Sequence, residues 1–152
     1  MANISHGPVK QKYKHIFKHF SKTINYSWGP NIKIRYIHSD IVTSLKIQKN
    51  EVNNIKVLGI YLVFEWPKTM MDVDRKMETK FVFKILAKDG RYFTRDVETD
   101  ITSSNKSTGF ASFLPLCELN GDYFLENDQL TVEVEGVIEP PNHVVSKNIT
   151  LI

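Results

Sequence analysis

The stretch IKVLGIYLVFEW, residues 55–66, decides the fold, because its side chains alternate with a period of two. One face carries Lys56, Leu58, Ile60, Leu62, Phe64 and Trp66, and the other carries Ile55, Val57, Gly59, Tyr61, Val63 and Glu65. This period is that of a β-strand. Since both faces are largely apolar, the pattern predicts a central strand of a sheet.

The segments that follow extend this pattern. The run ETKFVFKILAKDG, residues 78–90, ends in Asp89-Gly90, and RYFTRDVE, residues 91–98, returns from it. An Asp-Gly pair between two extended runs predicts a β-hairpin. Near the end, QLTVEVEGVI, residues 129–138, alternates apolar with polar side chains, as half-buried antiparallel strands do.

Further strands are predicted at Tyr13–Phe20, Ile32–Ile37 and Ile41–Gln48, with a weaker one after Lys106. Seven or eight short strands separated by turns predict an all-β antiparallel β-sandwich. We expect one domain over residues 13–139. Residues 1–12 and 140–152 are interpreted as tails, the second because two prolines cannot continue a ladder.

Composition excludes several classes of protein. No run approaches the ~20 apolar residues that a membrane-spanning helix needs, and the start of the chain lacks the apolar core of a secretory signal. We therefore expect a cytoplasmic or nuclear protein with no membrane partner. The single cysteine, Cys117, cannot close an internal disulfide.

The net charge of +3 conceals an asymmetry between the two ends of the chain. Residues 1–39 hold six lysines and one arginine without an acid, whereas residues 107–152 hold seven acids and one lysine. A basic arm that binds nucleic acid or an anionic membrane is one interpretation. The other, which the alternation of lysines with apolar residues favours, is that the first and last strands lie side by side with opposite charges facing each other.

Three ordered pieces of the sequence resemble the MATH domain, also called the TRAF-C or meprin-and-TRAF-homology domain, and in particular the MATH-BTB type. They are the opening Tyr13-x-x-x-Phe17-x-x-Phe20-Ser21, the stretch from Gly59 through the hairpin, and STGFASFLPLCELNGDYFLENDQLTVEVEGVI, residues 107–138. The resemblance implies a protein-interaction module that binds a short extended peptide in a groove on one sheet.

Carried over residue by residue, the resemblance implies eight peptide-binding residues. They are Tyr61, Phe81, Asp100, Lys106, Ser107, Thr108, Gly109 and Phe110. Gly109 would let the backbone pass close to a neighbour or a ligand, Phe113 would enter the core, and Pro115 would start a helical turn. We expect Tyr61 and Phe110 to share one trough; Phe81 is open to interpretation as core, and Ser107 and Thr108 as solvated loop.

Three positions depart from the family pattern. His15 and Leu45 replace tryptophans that the family carries in its early strands, and Thr108 replaces a tryptophan of the groove. The first two are interpreted as core replacements. The third puts a family-typical peptide specificity in doubt.

Catalysis and cofactors are not expected. No nucleophile, metalloprotease or phosphate-loop motif occurs, and His15 and His19 on one strand would lie about 13 Å apart, too far to share a zinc ion. The resemblance implies recruitment of partners to a cullin-3 ubiquitin ligase only if a BTB domain is present elsewhere. Nucleic-acid or acidic-surface binding through the basic amino-terminal third is the alternative function.

Overall fold

The computed structural model describes residues 8–36, 39–67, 75–119, 123–139 and 142–143. These residues form nine strands and one short helix. The elements are β1 (Val9–Phe17), β2 (Tyr26–Tyr36), β3 (Ser39–Val52), β4 (Ile55–Glu65), β5 (Arg75–Leu86), β6 (Tyr92–Ile101), β7 (Ser107–Pro115), α1 (Leu116–Leu119), β8 (Leu130–Ile138) and β9 (Asn142–His143).

The strands form two antiparallel sheets that face each other. The first sheet has the order β1-β8-β5-β6, with β9 paired to one end of β5, and the second has the order β2-β3-β4-β7. The predicted β-sandwich is confirmed. Residues 55–65 of the alternating stretch form β4, which lies between β3 and β7 as a central strand.

The core lies between the sheets and follows the alternation of the sequence. Leu58, Ile60, Leu62 and Phe64 of β4 are buried, and so are Phe81, Phe83 and Ile85 of β5, and Leu130, Val132 and Val134 of β8. Leu45 is buried in the same cluster, which confirms its interpretation as a core replacement. Each large apolar side chain withdrawn from water contributes roughly 1.5–3 kcal/mol to stability.

The first and last long strands pair, as the charge pattern favoured. Lys12 lies opposite Glu135, and Lys14 lies opposite Glu133. The ammonium group of Lys12 is 3.9 Å from a carboxylate oxygen of Glu133, and Glu135 also binds Lys84 of β5. Two lysines of the basic start of the chain, Lys12 and Lys14, are therefore matched by acids across a ladder.

Strand β1 differs from its predicted bounds at both ends. It begins at Val9, inside the expected tail, and ends at Phe17 rather than Phe20. His19 then turns the chain with φ of 55°, and Phe20–Lys22 forms a 3-10 turn. The Ser21 amide and hydroxyl donate to the Asp128 carboxylate at 2.9 and 2.6 Å. His15 and His19 therefore do not share one strand face.

Strand pairing also continues past the expected carboxyl-terminal boundary, because β9 pairs with Arg75 and Lys76. The rest of the predicted tail, residues 140–141 and 144–152, lies outside the described residues, as do residues 1–7 and Ile37. At the other predicted turn, Pro115 is the last residue of β7, and helix α1 starts one residue later. Phe113 is buried, as predicted.

Candidate functional site

The structure does not bring the eight predicted residues together on one surface. Tyr61 lies on the outer face of the second sheet, directly between Lys46 of β3 and Gly109 of β7. Its neighbour Ile60 points into the core and is fully buried. Phe110 pairs with Ile60 and therefore lies on the inner face. The expectation that Tyr61 and Phe110 share one trough is wrong for this reason.

Two further members of the predicted set are buried. Phe81 has 1% of its surface exposed and packs against Phe64 and Phe83 between the sheets, which is the core interpretation left open by the sequence. Thr108 is 2% exposed, and its hydroxyl forms a 2.7 Å hydrogen bond with that of Thr99 on β6. Thr108 thus joins the two sheets instead of lying in a solvated loop.

Asp100 lies on the opposite side of the molecule. It pairs with Glu78 on β5, on the outer face of the first sheet, so it does not belong to the surface that carries Tyr61. Lys106 is exposed just before β7, and its carbonyl oxygen accepts a 2.7 Å hydrogen bond from the Phe64 amide. Ser107 is half-exposed at the start of β7.

Gly109 holds the closest backbone approach in this region. Its φ is +146°, and a Cβ there would lie 2.1 Å from the Ile60 carbonyl oxygen and 2.8 Å from the Tyr61 Cα. No other residue fits without moving β4 away, because both atoms belong to the backbone. The prediction that Gly109 lets the chain pass close to a neighbour is confirmed, and the neighbour is β4.

The pairing of β7 with β4 also leaves hydrogen-bonding groups free at the edge of the sheet. Because the Phe64 amide bonds to the Lys106 carbonyl, the bonded pairs of the ladder alternate from that point. The amides and carbonyls of Ser107 and Gly109 therefore point away from β4. Strand β7 is the last strand of its sheet, so these groups face an edge to which no other strand in the described part of the chain pairs.

Beyond Gly109 the edge strand bulges and is held by a side chain from the other sheet. The register shifts between Leu58 and Ile60 of β4, so that β7 carries extra residues there. The Arg95 guanidinium donates to the Ser112 carbonyl at 2.7 Å and lies 4.4 Å from the Phe110 ring centroid. Phe110 is thus half-buried under a cation at the rim of the sandwich.

Sequence reasoning missed a row of side chains across the outer face of the second sheet. We call it the aromatic row: Trp28, Lys46, Tyr61 and Gly109 are direct neighbours on β2, β3, β4 and β7. Trp28 is 46% exposed. The Lys46 ammonium lies 5.1 Å from the Trp28 ring and 5.0 Å from the ring of Tyr26, within the range of cation–π attraction.

Comparison with known proteins identifies the family. A family model of the MATH domain matches residues 18–135. The chain belongs to the MATH domain family. Among solved structures, TRAF5 of Notothenia coriiceps is similar in fold, with 14% sequence identity and a TM-score of 0.50, over 82% of this chain and 72% of that chain. No curated protein matches the sequence.

Membership makes the chain a protein-interaction module. Among the described residues, no three His, Cys, Asp or Glu side chains are grouped as metal ligands would be. No helix in the described part of the MATH domain is both long and apolar enough to cross a membrane. The one cysteine, Cys117, is a free thiol on the exposed side of α1.

A large pKa shift lies far from the aromatic row, at the tip of the β5–β6 hairpin. The pKa of Asp89 falls from 3.8 to about 2, mainly because the Tyr123 hydroxyl donates to its carboxylate and then because the Arg91 backbone amide does so. This exposed network ties the hairpin to the segment before β8 and has a structural role. At the margin of the core between the sheets, burial chiefly lowers the pKa of Lys49 on β3 and, separately, that of His15 on β1.

Proposed function

We propose that this MATH domain binds a short extended peptide segment of a protein partner along the free edge of β7. The observation that carries the proposal is the open edge itself. The backbone groups of Ser107 and Gly109 point off that edge, and Tyr61 and Phe110 flank it from opposite faces. Strand addition of this kind supplies affinity through main-chain hydrogen bonds and specificity through alternate side chains.

The separation of Tyr61 and Phe110 fits an added strand. Side chains of an extended peptide alternate between the two faces of the sheet that it joins. One set would lie on the outer face towards Tyr61, and the other set would lie on the rim towards Phe110 and Arg95. The two aromatics that do not share a trough therefore contact alternate positions of the same peptide.

Distances along the sheet define how far the contact extends. Neighbouring strands are about 4.8 Å apart, so a peptide strand beside β7 would lie about 10 Å from β4 and about 14 Å from β3. A long outer side chain reaches Tyr61, and only the longest approach Lys46. Trp28, on β2, lies beyond the reach of a single added strand.

A random peptide library displayed on phage tests the proposal. Peptides selected on the wild-type domain are measured against Tyr61→Ala, Phe110→Ala and, as a matched control, Tyr92→Ala. Tyr92 is 42% exposed on the outer face of the first sheet. We expect each of the first two changes to weaken binding about 5- to 30-fold, as truncation of an interface aromatic does, and the control to change it less than 2-fold. Selected peptides that bind all four proteins equally would remove the β7 edge as the site.

The same domain would serve as a substrate adaptor for a cullin-3 ubiquitin ligase when a BTB domain is joined to it or associates with it. The support is the resemblance of the domain to the MATH-BTB type together with the peptide-sized edge. Co-precipitation of cullin-3 with the protein from cells tests this step separately. A protein that captures its peptide partner without cullin-3 acts as a binding module alone. Such a role places it in the cytoplasm or nucleus, which a fluorescent fusion would check.

A further inference from the structure

The side chain of Asn50 occupies an unusual position beside Tyr61. It lies on β3 and reaches across the outer face of β4 to the bulge of β7. Its Nδ2 donates a 2.8 Å hydrogen bond to the Ala111 carbonyl and a 3.1 Å hydrogen bond to the Tyr61 hydroxyl. One amide group thus links three neighbouring strands.

The first of these bonds fixes the orientation of the amide. A carbonyl oxygen only accepts, so the atom of Asn50 that faces Ala111 must be its nitrogen. Both hydrogens of that nitrogen are then used, one for Ala111 and one for the Tyr61 oxygen. The Tyr61 hydroxyl accepts from Asn50 and keeps its own hydrogen for donation to another group.

The Asn50 amide and the Tyr61 ring occupy the space that Gly59 leaves open by having no side chain. A Cβ at residue 59 would lie 2.6 Å from the Asn50 Nδ2, 3.0 Å from a ring carbon of Tyr61 and 3.1 Å from its hydroxyl oxygen. The Tyr61 ring therefore lies over the backbone of Gly59, along the sheet rather than upright from it. Only a residue without a side chain leaves that place open.

We infer that Asn50 is a positioning residue, which holds the Tyr61 ring over Gly59 and presents its hydroxyl as a donor to an unprotonated oxygen of the bound peptide. This inference rests on the proposed function, since it concerns the same edge. The peptide group is a side-chain carboxylate, because it accepts a hydrogen bond and carries no hydrogen. The peptide main chain, about 10 Å from β4, lies too far from a hydroxyl that sits over Gly59 of β4. Because the Tyr61 oxygen already accepts from Asn50, its hydrogen is the group that it offers to the peptide.

The position of the ring can be tested without a ligand. In the wild-type domain, NMR should show nuclear Overhauser effects between the Tyr61 ring protons and the Gly59 α protons. We expect these to be lost in Asn50→Ala and in Gly59→Ala, which displaces the ring by a different route. Amide shifts in the first sheet report whether each variant is folded. A folded Asn50→Ala domain that keeps the Tyr61–Gly59 effect would overturn the positioning role.

Binding of a library-selected peptide tests the chemistry. Tyr61→Phe removes the donated hydrogen and should weaken binding about 3- to 10-fold, the size of one hydrogen bond. Asn50→Ala should weaken it at least as much, but should add nothing in a Tyr61→Ala background, because Asn50 acts through Tyr61. Asn50→Asp should not rescue binding: a carboxylate accepts the Tyr61 hydrogen and withdraws it from the peptide.

The outcomes separate this inference from the proposed function. If Tyr61→Ala leaves binding unchanged, the β7 edge is not the site, and both fail. If Tyr61→Ala weakens binding while Asn50→Ala and Asn50→Asp do not, the edge is the site and the role of Asn50 is refuted. Replacing each Asp and Glu of the peptide by Ala then tests the acceptor. A loss seen with wild type but not with Tyr61→Phe assigns a side-chain carboxylate, and no such loss overturns that assignment.

Discussion

Replacing Gly109 by alanine should unfold this domain far more readily than replacing Gly90. Both glycines have a positive φ, +146° at Gly109 and +87° at Gly90. They differ in their surroundings, because a Cβ at Gly90 would meet nothing within 4 Å, whereas at Gly109 it would lie 2.1 Å from the Ile60 carbonyl oxygen. The pair therefore separates backbone strain from steric collision.

The expected losses of folding stability follow from backbone strain and steric collision. A side chain held at an unfavourable positive φ costs about 1–2 kcal/mol, which is the whole expected effect of Gly90→Ala. Gly109→Ala adds forced separation of two packed strands, for which overpacking costs of about 1–3 kcal/mol are typical. We expect about 4 kcal/mol in total, a large part of the roughly 5–15 kcal/mol that holds a domain folded.

Urea denaturation followed by tryptophan fluorescence measures both variants. With a slope of about 2 kcal/mol per molar urea, Gly109→Ala should lower the midpoint by about 2 M and Gly90→Ala by less than 1 M. Gly29→Ala is a further control, because its Cβ would meet the His15 ring at an ordinary 3.4 Å. Equal losses for Gly109→Ala and Gly90→Ala would refute the close approach of β7 to β4.

Three further predictions test other parts of the structure. Asp89 has a pKa of about 2 instead of 3.8, so the stability that it contributes is fully present above pH 3.8 and is lost as the pH falls towards 2. Asp89→Asn should therefore flatten the dependence of the urea midpoint on pH in that interval. Parallel curves for wild type and variant would contradict this prediction. Thr108→Val removes the hydroxyl partner of Thr99 and should cost about 1 kcal/mol in the same denaturation assay, whereas an unchanged midpoint would show that this bond contributes nothing. Because Lys12 is matched by Glu133, the domain should bind duplex DNA at physiological salt no tighter than the non-specific range of dissociation constants, about 10⁻⁴ to 10⁻⁶ M. A nanomolar dissociation constant measured by fluorescence anisotropy would support the basic-arm alternative instead.

Local periodicity predicted most of the fold. The alternation in residues 55–66 identified β4 and its buried face, since a strand shows its two faces within a few residues. The pairing of β1 with β8 followed from charges that lie far apart in sequence but match across a ladder. The end of β1 could not be predicted in the same way, because Phe20 continues the apolar pattern although His19 has already turned the chain.

The candidate site was less accessible to sequence reasoning because it depends on register. Tyr61 and Phe110 each belong to a recognisable strand, but only their pairing, with Gly109 opposite Tyr61, shows that they face opposite sides. Trp28 and Lys46 lie 18 positions apart and become neighbours through a register that includes a bulge. Gly29 and Pro30 lie at that bulge and are typical of one, but they do not specify the register that follows it, so the aromatic row could not be predicted.

The edges of the two sheets explain why β7 in particular is suited to take up another strand. Exposed edges invite unwanted pairing, and proteins protect them with charges, prolines and bulges. Strand β1 carries three lysines, β6 carries one arginine and three acids, and β2 combines a proline and a bulge with Lys33 and Arg35. Strand β7, with the sequence STGFASFLP, also has a bulge and ends in Pro115, but unlike the other three it has no charged residue. Among the long outer strands that the structure describes, the edge without charged residues is the one flanked by Tyr61 and Phe110, so we attribute its lack of charge to peptide binding.

Introducing a lysine at Ser107 should therefore reduce peptide capture while leaving the urea midpoint nearly unchanged. A Ser107→Lys domain that captures selected peptides as well as wild type would contradict the link between the uncharged edge and binding.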